Sequence, residues 1–120
     1  MSYDISFRVK VEGIDKWIPV SHCNANTTWN VREMITTSTG LEWKNEQDNG
    51  LVNDVIPAIY KGLYELTNFP EKYKKYESDN GWGTIEGTIG FFQTIINDWE
   101  EFKADYETSD LADVTHFWIV

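Results

Sequence analysis

The 120 residues include one cysteine, two histidines and three prolines, and only ten lysines and arginines against twenty acids. Each scarcity excludes something. A lone cysteine, Cys23, leaves no disulfide within the chain. One Cys and two separated His, His22 and His116, do not supply the four or so regularly spaced ligands of a zinc site. No apolar run approaches the ~18 residues of a membrane span. The opening MSYDISF has neither the basic nor the apolar region of a leader. The shortage of bases leaves a net charge of −10, which repels nucleic acid and membrane surfaces and attracts basic partners. These absences point to one soluble domain with no cofactor, no membrane contact and no direct nucleic acid binding.

The charge is uneven. Residues 1–40 hold four acids and four bases, net 0; residues 41–80 hold eight and five, net −3; residues 81–120 hold eight acids against Lys103 alone, net −7. Aromatic residues, 15% of the chain, either fill a small core or stand on a binding surface, where Trp and Tyr are favoured.

The strongest pattern runs from Gly81 to Tyr106. Ile85, Ile89, Phe92, Ile96 and Trp99 recur at steps of three and four, which is one face of an α-helix. Phe91, Ile95 and Phe102 widen that stripe, and Asp98, Glu101 and Asp105 fall on the side expected to face water. Earlier in the chain, Tyr3–Val11 alternates apolar and polar residues, the period of a strand with one buried face. Glu12–Asp15 turns it, and Lys16–Val20 returns as an edge strand, because Pro19 cannot donate to a ladder. Ser21–Thr28 reads as a loop whose Thr27 or Thr28 caps a helix over Trp29–Ser38, stopped by Gly40. Leu41–Gly50 reads as an exposed loop anchored by Trp43.

A second helix begins at Asn53 or Asp54, which leaves Pro57 in its first turn. Its inner face is Val55, Ile59, Gly62, Leu63 and Leu66, and it breaks at Asn68–Glu71. A helical turn over Pro70–Tyr76 carries Lys72, Lys74 and Lys75 beside Glu71 and Glu77, a solvated mixed-charge face. Val114–Val120 closes the chain as an apolar strand. The fold class is therefore α+β: a small antiparallel sheet, made of the N-terminal hairpin plus the C-terminal strand, covered by three to four helices in two layers. A free edge at Lys16–Val20 permits a homodimer.

Catalytic patterns are absent. Adjacent His22 and Cys23 point to opposite sides of an extended segment, so they do not make a nucleophile–base pair. The Glu100-Glu101 pair reads as surface rather than as an acid and base in divergent environments. The GWGTIEG segment puts backbone amides at a helix start, where an anion can sit, without the context of a Walker or dinucleotide loop. Its Gly87 and Gly90, near one another on the helix, are expected to let another backbone approach. A second loop of similar character, SHCNANTTWN, brings Asn24, Asn26, Trp29 and Asn30 beside Arg32. Two such loops facing one another would make a pocket.

The segments TWNVREMI, STGLEW, NGL with DVIP, NGWGTIEG and HFWI together resemble a group of small proteins encoded by phages and prophages of Gram-positive bacteria. The resemblance spans essentially the whole chain and implies an accessory phage protein acting in the host cytoplasm. Such proteins are similar in character to inhibitors of host defence, including anti-CRISPR proteins. The resulting expectation is a non-enzymatic inhibitor that binds a basic, nucleic-acid-handling host protein through Asp98, Glu100, Glu101, Asp105 and Glu107. The alternatives are a component of the phage particle, or a small-ligand binder that sequesters a nucleotide signal at Asn26, Trp29, Arg32, Trp43, Trp82 and Gly83.

Overall fold

The structure is a computed structural model and describes residues 2–105 and 107–120. Tyr106, the last residue of the stretch read as helix, lies outside them. Five strands form one antiparallel sheet: β1 (Ser2–Val11), β2 (Lys16–Ser21), β3 (Asn26–Thr28), β4 (Gln47–Leu51) and β5 (His116–Ile119). Their order is β2-β1-β5-β4, with β3 pairing the first residues of β1. The last strand lies beside the first, Ile5 opposite Ile119 and Phe7 opposite Phe117. Three helices, α1 (Arg32–Thr39), α2 (Val52–Asn68) and α3 (Ile85–Ala104), complete the α+β fold. No helix among the described residues is long and apolar enough to cross a membrane.

Two strands were hidden in segments read as loops. β4 has the sequence QDNGL, whose polar and glycine-rich character signals a turn. It is an edge strand with its register against β5 shifted between Asp48 and Leu51, and Gly50 takes φ +103° at that irregularity. β3 is only three residues long and follows β1 for that length. The expected Pro70–Tyr76 helix is instead two short 3₁₀ turns.

The local chemistry of the helix ends accounts for their boundaries. Thr84 caps α3 by accepting from the Gly87 amide at 3.0 Å. α1 is entered through a 3₁₀ turn at Trp29–Val31 and ends at Gly40, whose φ of +76° is the left-handed conformation glycine adopts freely. α2 starts at Val52, earlier than expected, so Pro57 falls in its second turn. The hydrogen bond that Pro57 cannot donate to the Asn53 carbonyl is lost on the exposed side of the helix.

The core lies between the sheet and the helices. Trp43, Trp99, Phe7, Phe92 and Phe117 are its largest fully buried side chains. On α3 the buried face is Ile85, Thr88, Phe91, Phe92, Ile95, Trp99 and Phe102, while Ile89 and Ile96 are half-buried. Phe91, Ile95 and Phe102, read as widening the stripe, are thus buried together with Ile85, Phe92 and Trp99 of the stripe itself, and Phe7 of the sheet packs on Trp99 at 5.2 Å between centroids. Close helix packing also moves. A Cβ on Gly90 would meet nothing within 4 Å, and one on Gly87 only Thr84 Oγ1. A Cβ on Gly62 would lie 2.6 Å from Thr39 Cγ2 and 2.8 Å from Phe92 Cε2. The glycine that admits neighbouring helices is therefore Gly62 of α2, where α1 and α3 converge.

On the other face of the sheet the outward side chains of the strands pack on one another. Trp17 of β2 lies 5.4 Å from Trp118 and 4.8 Å from His116, both on β5. The Arg8 guanidinium stands 4.8 Å over the Trp118 ring. His116 Nδ1 is 3.0 Å from both carboxylate oxygens of Asp48. Alternation along HFWI thus sends Phe117 and Ile119 inward and His116 and Trp118 outward.

Candidate functional site

The loops that open α1 and α3 meet at one end of the molecule. Gly83, with φ +97°, approaches so closely that a Cβ there would lie 3.0 Å from Val31 Cγ1 and 3.1 Å from Asn30 Cβ. Asn30 Nδ2 donates to the Trp82 carbonyl at 3.3 Å, and the Trp82 amide donates to Asn80 Oδ1 at 2.9 Å. Both polar groups of the Trp82 backbone are thereby tied down, and the indole projects outward, 69% exposed. Between the loops lies an open cleft of about 530 Å³ lined by Ser2, Asn26, Thr28, Asn30, Asn80 and Trp82, within the size range of small-molecule sites.

The residues expected to bind a ligand divide accordingly. Asn26 and Trp82 line this cleft, and Gly83 holds its two walls together. Trp29 is half-buried beside it; its indole N–H donates to the Ser2 carbonyl at 3.0 Å and its ring packs on Tyr3. It fastens the start of β1. Arg32 is exposed on α1 and is not among the lining residues. Trp43 belongs to the core: it is 1% exposed and meets Phe117, Tyr3 and Phe91 edge-on. Ser2, Thr28, Asn30 and Asn80 line the cleft but are not in the expected set. Thr28 and Asn30 sit in the quoted loop SHCNANTTWN and Asn80 opens the quoted segment NGWGTIEG, but Ser2 lies on a strand that no loop pattern marks.

The start of α3 does not hold a free anion site. Its Ile85 amide donates to Glu77 Oε2 at 2.9 Å and its Gly87 amide to Thr84 Oγ1. A carboxylate of the chain itself occupies the position that a bound anion would take. Two of the lysines after α2 are paired with acids, Lys72 with Glu65 and Lys74 with Glu71, each at 2.9 Å, and Lys75 stands over the Tyr76 ring. Tyr73 and Lys72 both donate to Glu65 and hold its carboxyl below the usual range.

The acidic residues gather around the C-terminal end of α3. Glu101 and Glu107 are exposed. Glu100 pairs with Lys103 at 3.4 Å, and Asp105 Oδ1 accepts from the Glu107 amide. The Thr108 hydroxyl donates to the Phe102 carbonyl at 2.7 Å, and Asn53 Nδ2 donates to Asp113. These bonds fold the following segment back toward α3 and the start of α2. Asp98 departs from the expected water-facing set. It is half-buried and accepts from the Asn24 amide at 2.8 Å, stapling α3 to the loop after β2. Beside it, burial foremost, and the Asp98 charge in addition, push the Cys23 thiol up to about 12, so the thiolate required of a nucleophile is scarce near neutral pH. No three His, Cys, Asp or Glu among the described residues are grouped to hold a metal ion.

Comparison with protein-family models, with curated proteins and with solved structures finds no match for the chain, so a functional reading has to rise from these residues.

Proposed function

We propose that the chain is a non-enzymatic binding protein that engages a basic partner protein through the acidic end of α3 and the segment after it. One observation carries this reading: Lys103 is the single lysine or arginine among residues 81–120, which hold eight acids, and Glu101, Glu107 and Asp110 in that stretch are exposed. Such a field raises the encounter rate with a basic surface and sets the orientation of docking. The resemblance to phage accessory proteins suits a host target of the nucleic-acid-handling kind, since those surfaces are basic and an acidic protein competes for them. Inhibition of a defence system in the host cytoplasm is the corresponding role.

The test is capture from host lysate by wild type and by the triple variant Glu101→Lys, Glu107→Lys, Asp110→Lys. A stoichiometric protein held at low ionic strength, released at high ionic strength and not captured by the triple variant is the expected result. Equal capture by the two forms overturns the assignment of this surface. Asp98 is left unchanged in the variant because its carboxylate holds a backbone amide.

A further inference from the structure

We propose that the cleft between the loops opening α1 and α3 binds a neutral, hydroxyl-rich ligand, a carbohydrate segment, with Trp82 as the surface on which a sugar ring stacks. This goes beyond the acidic docking surface and stands on different residues.

The argument begins with charge. Ser2, Asn26, Thr28, Asn30, Asn80 and Trp82 are all uncharged. A phosphate entering the cleft would lose water without meeting a cation among them, and it would do so in a chain of net charge −10. The nucleotide expected from the sequence is therefore the less suited ligand. A purely apolar molecule is unsuited for the opposite reason, because it would cover amides and hydroxyls without pairing them.

The hydrogen bonds within the walls then decide which ends of the amides remain available. Asn26 Nδ2 is used by Asp4 Oδ1 at 2.7 Å and by the Tyr3 carbonyl at 3.3 Å, which leaves its Oδ1. One N–H of Asn30 Nδ2 is used by the Trp82 carbonyl, which leaves the other N–H and Oδ1. Asn80 Oδ1 is used by the Trp82 amide and the Ser78 hydroxyl, which leaves its Nδ2. The cleft thus offers two fixed acceptors, on Asn26 and Asn30, and three fixed N–H donors, two on Asn80 and one on Asn30; the Ser2 hydroxyl and the Thr28 hydroxyl, which already accepts from the Asn30 amide, can donate as well. Neighbouring ring hydroxyls, each both donor and acceptor, complement that set. The exposed indole supplies the apolar plane that the C–H face of a pyranose covers. Because the amides are held before any ligand arrives, little side-chain ordering remains to oppose binding.

Side-chain resonances of ¹⁵N-labelled protein test this. Chitotriose and maltotriose are the neutral probes, and uridine and uridine monophosphate the comparators. The expected result is a saturable shift of the Trp82 indole N–H and the Asn80 side-chain amide with one or both oligosaccharides. Followed at the Asn80 side-chain amide, the resonance that survives removal of the indole, binding should weaken about tenfold in Trp82→Phe and vanish in Trp82→Ala, while the acidic triple variant titrates as wild type does. Circular dichroism and melting of Trp82→Ala confirm that it is folded, as the exposure of Trp82 leads one to expect. No saturable shift with either oligosaccharide overturns the proposal, and so does tighter binding of uridine or its monophosphate.

Discussion

Trp43 and Trp82 each stand in a loop, LEWKN and NGWGT, yet one is buried in the core and the other is the most exposed large apolar side chain of the chain's described residues. The difference lies in what holds each loop. Around Trp82 the backbone is fastened by amides, through Asn80 and Asn30, with Gly81 and Gly83 at φ +78° and +97°. The indole contributes no fastening and is free to point outward. Around Trp43 the loop bonds fall on its neighbours, Leu41 to Thr39 and Lys44 to Asn49. The indole itself ties the segment to β1, β5 and α3 through Tyr3, Phe117 and Phe91. A tryptophan in a polar loop is thus a structural anchor or a presented surface according to whether the backbone needs it.

The sharpest way to break this contrast is at Trp43. Trp43→Ala removes a fully buried indole where sheet and helix layers meet and should cost about 3–5 kcal/mol of unfolding free energy, read from denaturant titration. Trp43→Phe should cost only about 1–2 kcal/mol. It keeps most of the ring contacts and deletes an indole N–H that is buried without a partner among the described residues. A small loss in the alanine variant would show that the loop holds itself, as the Trp82 loop does.

The next test compares two glycines. Gly62→Ala forces a methyl group against Thr39 and Phe92 at distances below any real contact, and should destabilise by about 1–3 kcal/mol. Gly90→Ala adds a methyl group in open space at a helix-interior position, and should raise the stability by up to about 1 kcal/mol. Opposite signs are expected, and thermal melts of the two variants measure them. Loss in both would restore a close approach at Gly90.

These glycines also show what the sequence can and cannot reveal. Periodicity located β1 and α3, because an alternating or three-four pattern records which face is buried, while turn residues marked the return to β2 and the apolar run at the end of the chain marked β5. Periodicity could not say which of Gly62, Gly87 and Gly90 admits a neighbour, since that depends on where three helices cross. β4 was unreadable for a similar reason: an irregular edge strand has the composition of a turn, and only β5 beside it makes QDNGL a strand. In the candidate site, Asn26 and Trp82 were legible as polar-loop residues at helix starts. Thr28 lies in the polar loop SHCNANTTWN, whereas Ser2 enters the cleft through the pairing of β1 with β3, which no local pattern announces. Asp98 was misplaced because it lies at the border of the buried face of α3, where a helical wheel does not say whether water or the Asn24 amide waits.

Asp98 yields a smaller effect. Asp98→Ala frees the Asn24 amide and should cost about 1 kcal/mol. It also withdraws a negative charge that helps raise the Cys23 thiol, so the thiol pKa should fall and alkylation by iodoacetamide at fixed pH should quicken. Burial remains the larger cause, so reactivity should stay below that of an exposed thiol. Unaltered alkylation together with unaltered stability would mean that the loop after β2 does not depend on this staple.

The smallest expected effect on stability is at Trp82 itself. Its exposure of 69% and the fastening of its backbone by other residues imply that Trp82→Ala changes the unfolding free energy by less than about 0.5 kcal/mol. Asn80→Ala, which leaves the Trp82 amide and the Ser78 hydroxyl without their acceptor, should cost about 1 kcal/mol. That ordering, with the small amide worth more than the large indole, is the reverse of what burial arithmetic gives for a core position. If it holds, the indole is a side chain that the fold presents without needing, and the same Trp82→Ala variant can report on ligand binding with no contribution from unfolding. If Trp82→Ala instead proves the more damaging, the indole is part of the clasp between the two loops, and the distinction drawn between Trp43 and Trp82 fails at its exposed end.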